Sequence, residues 1–238
     1  MFDLREYRRR ATTLADFLPW AGLVAPGIVL NKDGSFQRTA RFRGPDLDSA
    51  TAAELVAVAA RLNNALRRLG SGWAIYVEAQ RAPAADYPVS AFPDRVSSLV
   101  DAERKALFEM EGAHFESAYF LTFQFLPPAE RAGRLEGWLY DGRDREGVDW
   151  RETLAGFADQ TDRMLALFEG FLPEAVWLGD ADTLTYLHST VSTRRQAVQV
   201  PEVGVGLDVL LADEPLTGGL APQLGGKALR VLTVSGFP

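Results

Sequence analysis

At 238 residues, 47% hydrophobic and 11% aromatic, the chain has the length and the apolar content for one large domain or two small ones. Its net charge of -7 weighs against a surface built for nucleic acid, because backbone phosphates are repelled on average. The lack of cysteine excludes disulfides, thiolate nucleophiles and Cys-ligated metals.

The N-terminal stretch departs from the acidic total. Residues 1–45 set Arg5, Arg8, Arg9, Arg10, Lys32, Arg38, Arg41 and Arg43 against Asp3, Glu6, Asp16 and Asp33, a net +4 that leaves -11 for the rest. "LREYRRRATTLADFLPWAGLV" places the arginines beside aromatics and leucines, a pattern that fits an anionic bilayer surface or a membrane subunit. Each cation near such a surface contributes on the order of 1 kcal/mol. The competing reading is a solvated arm whose later residues join a core. Residues 1–25 are therefore taken as a basic arm and 26–238 as the folded domain. Arg5, Tyr7, Arg8, Arg9, Arg10, Phe17, Leu18 and Trp20 are its candidate membrane or partner contacts. The pattern of a signal peptide is missing, and the mostly apolar run from Trp20 to Leu30 holds 11 residues and Pro26, against about 20 needed to cross a bilayer as a helix.

"GIVLNKDGSFQRTARFRG" predicts a hairpin, with turn chemistry at 31–34 and alternation over 35–43. One face of its second strand carries Phe36, Arg38, Ala40 and Phe42 and should pack, apart from Arg38. The other carries Gln37, Thr39, Arg41 and Arg43 and should be wet and basic; Arg41 and Arg43 are candidate contacts for single-stranded DNA. Thr51 and Glu54 form a capping-box signature that opens a helix with Leu55, Val58, Leu62, Leu66 and Leu69 in helical spacing, stopped at Gly70. "GWAIYVEAQRAP" reads as a strand, "RAPAADYPVSAFP" as a loop, "DRVSSLVDAERKALFEMEG" as a helix and "SAYFLTFQFLPP" as a strand. Residues 129–140 read as helical and 140–149 as a charged, glycine-punctuated loop. Asp149 with Glu152 caps a long helix whose apolar face includes Phe157, Met164, Leu167 and Phe168. "EAVWLGD" is then a short strand, "ADTLTYLHSTVST" a short helix, and "GLDVLLAD" and "KALRVLTVSGFP" two final strands. The order predicts an α+β fold, a mixed, mainly antiparallel sheet with helices packed against it. An end at "TVSGFP", straight after a strand, predicts continuation beyond Pro238.

Phosphate chemistry is the first function to test, since "GGKA" (225–228) and "VLLADE" (209–214) imitate Walker motifs. A Walker A loop reads G-x-x-x-x-G-K-[ST], and its terminal hydroxyl holds magnesium. Here the first glycine falls on Ala221 and the hydroxyl on Ala228, while "ALRVLTV" is strand-like where a helix should start. The order is inverted too, with the acidic strand ahead of the glycines. His114 and His188 lie 74 residues apart with no carboxylate cluster in the nearby sequence, so each reads as a structural or surface residue. Asp180 and Asp182, just ahead of a helix, read as caps. No residue of this chain qualifies as catalytic, nucleotide-binding or metal-ligating on these grounds.

The long runs beginning "LREYRRRATTLADFLPWAGLVAPGIVLNKDGSFQRTARFRG", with "ARLNNALRRLGSGWAIYVEAQR", "YPVSAFPD", "GAHFESAYFLTFQFLPP" and "GGLAPQLGGKALRVLTVSGFP", resemble the start of conjugal-transfer ATPases of the CagE/TrbE/VirB family across essentially the whole chain. The resemblance implies an energy subunit of a type IV secretion machine on the cytoplasmic face of the bacterial inner membrane. It implies that ATP and Mg are handled by a later, C-terminal P-loop domain, with no cofactor in these residues. These residues then correspond to the N-terminal domain, which the resemblance associates with docking onto inner-membrane components, including a small TrbD-like subunit, and with assembly against other copies of itself. Two other readings stay open: a nucleotide hydrolase using Lys227 of the degenerate Gly-Lys loop, and a single-stranded DNA-contacting module.

Overall fold

A computed structural model describes residues 13–46, 48–84, 87–110, 114–128 and 150–232. The expected helix over 129–140, the charged loop over 140–149 and the Asp149 cap lie outside the described residues, as do Arg5, Tyr7, Arg8, Arg9 and Arg10.

The sheet starts inside the segment assigned to the arm. After a single helical turn, α1 (Leu14–Phe17), comes β1 (Trp20–Ala25), antiparallel to β2 (Ile28–Asn31). Only the stretch of the arm ahead of Thr13 is left outside the described fold. The hairpin expected next is present: β2 pairs with β3 (Phe36–Arg43) across a turn in which Ser35 N–H donates to Asp33 Oδ1 at 2.9 Å. β4 (Trp73–Pro83) and β5 (Phe115–Phe125) form the longest antiparallel pair, and β5 also pairs with β3. The order is β1-β2-β3-β5-β4, and β6 (Glu174–Trp177) pairs with β3 at Ala40–Arg43, beyond the stretch that β2 occupies. Every pairing of described strands is antiparallel, so the fold is α+β as expected.

Strand alternation sends the side chains to two helical layers. Ile28, Leu30, Phe36 and Phe123 face α4 (Trp150–Glu169), which buries Phe157, Met164, Leu165 and Phe168. Phe157 stacks on Trp73 with ring centroids 5.6 Å apart. Val29 points the opposite way, into a core shared with Leu18, Trp20, α5 (Asp180–Val191) and α6 (Leu207–Leu211). Arg38, the exception on its packed face, has its charge neutralised there: it donates to Asp162 Oδ1 at 2.7 Å and Thr161 Oγ1 at 3.1 Å, and lies 4.1 Å from the Trp177 ring centre. The opposite face of β3 is wet only at one end. Thr39 is fully buried and shares a 2.9 Å hydroxyl contact with Thr122, whereas Arg41 and Arg43 are exposed.

"GLDVLLAD" is helical, a correction to the strand expected there. A contiguous apolar run carries no period of its own; here Leu207 and Leu211, four apart, both reach the core while Val209 between them stays exposed. Asp208 accepts from Lys32 at 2.8 Å, and Lys32 also donates to the Ala15 carbonyl at 3.0 Å, which ties α1, α6 and the hairpin turn together. Of the last expected strand, the described residues show only Lys227–Ala228 as strand, within a small sheet with Leu216–Thr217 and Gln223–Leu224, and 233–238 lie outside the described residues.

The remaining helices are loosely held. α2 (Ala52–Leu66) has the expected capping box, with Thr51 N–H donating to Glu54 Oε2 at 2.7 Å, but buries only Ala65. α3 (Arg95–Phe108) buries no residue at all.

Candidate functional site

Register brings Arg41 of β3 level with Phe120 of β5 and Val176 of β6, and Gln80 of β4 level with Ala118 of β5, all on the α5 side of the sheet. Together with Thr185, Tyr186 and Ser189 of α5 and the segment 195–197, they line an open groove of about 440 Å³. A hydrogen-bonded chain fixes its wall. Arg195 Nη1 donates to Gln80 Oε1 at 2.8 Å, Gln80 Nε2 donates to Ser189 Oγ at 2.9 Å and Glu78 Oε1 at 2.8 Å, and the Tyr186 hydroxyl donates to Glu78 Oε2 at 2.9 Å. Burial pushes the Tyr186 phenol well above its ordinary value, and the adjacent Glu78 carboxylate adds to that push, so it remains a donor at any physiological pH.

Of the residues singled out from the sequence, Arg41 lines this groove and Arg43 sits at the strand end opposite Glu174. Phe17 is 59% exposed. Leu18 and Trp20 belong to the core, so their side chains are not surface contacts; burial of the indole against α6 decided their place. Arg195, Gln80 and Ser189 carried no sequence signal, being as much as 115 residues apart.

The two Walker-like stretches do meet, but as a structural clamp. Glu214 is buried and accepts from the Thr193 backbone N–H and from Thr193 Oγ1 at 2.9 Å, and its carboxylate lies where a side chain on Gly225 would have to go. Gly225 holds a positive φ of 57°, so the loop passes over the carboxylate only as glycine. Asp213 Oδ2 lies 3.0 Å from Nε2 of the buried His188 and 3.9 Å from Arg194 Nη1. The carboxylate partner that the local sequence lacks is supplied by the chain 25 residues on. The Thr193 N–H and hydroxyl hold the Glu214 carboxyl below its ordinary 4.5, despite burial. For Asp213, burial raises the value, but His188, Ser192 and Arg194 together outweigh it and hold the group below normal. Asp180 likewise serves structure, accepting from Gly27 N–H at 2.6 Å. Among the described residues no group of three or more His, Asp or Glu is placed to hold a metal ion. With both carboxylates occupied and Ala228 in place of a hydroxyl, these residues do not fit a magnesium–nucleotide complex.

A third feature is apolar surface. Val96, Leu99, Val100 and Leu107 share one side of α3 and are exposed, as are Leu55 and Val56 of α2 and Tyr76 and Val77 of β4. Among the described strands, β4 has a partner on one flank only. No described helix is long and apolar enough to cross a membrane.

Residues 27–133 match the family described as "Type IV secretion system ATPase VirB4/TrbE, N-terminal domain". The whole chain is 34% identical, over 259 aligned residues, to "Conjugal transfer protein TrbE" of Rhizobium radiobacter, and spans 31% of that protein's length. Over 130 residues, 53% of this chain and 87% of the relative, it is 45% identical to a "Probable conjugal transfer protein TrbE" segment of Sinorhizobium fredii. The matched region takes in the hairpin, β4 and β5 that build the groove, and by this similarity the chain belongs to the VirB4/TrbE family of type IV secretion system ATPases, as its N-terminal domain.

Proposed function

We propose that this chain is the docking and assembly module of a conjugation ATPase at the cytoplasmic face of the bacterial inner membrane. In this reading it contacts inner-membrane secretion subunits, a small TrbD-like protein among them, and neighbouring copies of itself, while ATP and magnesium are handled by another region of the ATPase. The observation that carries the reading is α3, an amphipathic helix whose Val96, Leu99, Val100 and Leu107 are left in water. Contiguous exposed apolar surface of this kind marks interaction sites in soluble domains. The basic segment at Arg8, Arg9 and Arg10 adds a charge suited to an anionic surface.

The test is recruitment to the membrane fraction in a conjugation-proficient cell. Leu99→Glu with Leu107→Glu should reduce recruitment about tenfold, equivalent to about 1.4 kcal/mol, with the circular dichroism of the domain unchanged, since neither side chain is buried. Arg8, Arg9 and Arg10 changed together to Glu should weaken it further. Full recruitment of both variants would overturn the reading.

A further inference from the structure

We propose that the groove between the sheet and α5 is a docking site for an extended acidic peptide segment of a partner protein, carboxylates meeting Arg41 and Arg195 and an apolar side chain lying over Phe120.

Arg38 is paired with Asp162, and Arg194 lies near Asp213 and Glu214. Arg195 is held instead by the neutral amide oxygen of Gln80, with no carboxylate of the described residues on it. Arg41 meets Glu174 at 3.7 Å, and both side chains lie in solvent. A guanidinium carries five N–H donors in a fixed fork that matches a carboxylate, and these contacts leave most of the donors of both residues to a ligand. The Gln80–Ser189–Glu78–Tyr186 chain fixes the carrier of one fork, which lowers the entropy lost when a ligand is captured.

The floor between the arginines is apolar, formed by Phe120, Ala118 and Val176. The Phe120 ring is braced on Tyr186 with centroids 4.4 Å apart. Alternation of apolar and acidic side chains along an extended segment suits such a surface, one set facing the floor and the other the rim. A nucleic-acid strand suits it less. Asp182 stands in the same wall and repels an unbroken run of phosphates. Spaced carboxylates can avoid Asp182; a phosphate backbone cannot.

The inference rests on the docking reading for the identity of the partner, but binding itself is tested on the 238-residue chain alone. Amide shifts of the labelled chain are followed by NMR while an alternating Leu-Glu hexapeptide, its Leu-Gln counterpart and a thymidine oligonucleotide are titrated in separately. Saturable shifts at Gln80, Ala118, Ser189 and Ala197 are expected with the Leu-Glu peptide, at least tenfold weaker with Leu-Gln. Arg41→Ala and Arg195→Ala should each weaken binding about tenfold, and the double reversal Arg41→Glu, Arg195→Glu should accept a Leu-Lys peptide instead. The amide spectra of the variants report directly that the fold is kept. No saturable shift at millimolar peptide, equal binding of Leu-Gln, or stronger binding of the oligonucleotide would each overturn the proposal. Any of these leaves recruitment through α3 standing, because the titration does not involve that helix.

Discussion

Gly27 shows how much one residue can decide. It turns β1 into β2 with a φ of +67°, and a Cβ there would overlap the carbonyl oxygen of Leu178. Its N–H is fixed by Asp180, so the turn is pinned to the start of α5 from two directions. Gly27→Ala should cost about 3 kcal/mol, from left-handed strain and from forced displacement of Leu178. Urea denaturation measures it, with Gly22→Ala as the control, since nothing lies within 4 Å of a Cβ at Gly22. A loss below about 1 kcal/mol, less than left-handed strain alone costs, would show that the turn relaxes. Nothing in the local sequence says what that turn touches. Arg38 teaches the same lesson: its place on an otherwise apolar face was legible, while the Asp162 and Trp177 that make it tolerable lie more than 120 residues away.

At the scale of elements, the segment from α6 through the small sheet is fastened to the end of α5 by a few polar contacts and by Leu207, Leu211 and Leu224. Glu214 is the centre of that fastening, and the sign of its pH dependence follows from its lowered folded pKa. Such a group contributes stability above its unfolded value of 4.5, and the contribution is lost as pH falls through the folded value. The domain should therefore loosen in acid, below 4.5, and Glu214→Gln should remove that component of the acid sensitivity while lowering stability at neutral pH. Denaturation midpoints against pH for both proteins check this; parallel curves would sink it. The helix α6 is also where periodicity misleads, because four adjacent apolar residues fit a buried strand and a helical turn equally. Packing of Leu207 and Leu211 on Trp20 and Val29 settled the choice.

Among the described residues, helices cover both faces of the β1–β3 end of the sheet, while Tyr76 and Val77 of β4 and one side of α3 are exposed. That asymmetry is what favours docking over chemistry as its role. Lys227, the residue on which the hydrolase reading depends, is exposed on a two-residue strand beside a glycine turn. Lys227→Ala should leave the affinity of this chain for ATP unchanged in a calorimetric titration. Abolition of binding would restore the nucleotide reading and remove the structural account of the clamp.

Local chemistry alone determined a good deal: the capping box at Thr51, the hairpin after Gly27, the alternation of β4 and β5, and the failure of "GGKA" as a phosphate loop. Each depends on residues within one turn or one strand of each other, where backbone sterics and side-chain period act directly. Tertiary structure alone decided that α1 and β1 belong to the sheet and core and not to an arm, since an apolar residue near a basic cluster reads the same whether it waits for a membrane or for Val29. It alone paired His188 with Asp213 and set Arg41 and Arg195 around one groove. Those contacts join residues far apart in the chain, and only the strand order that folds β3, β5 and α5 together gives them a common place.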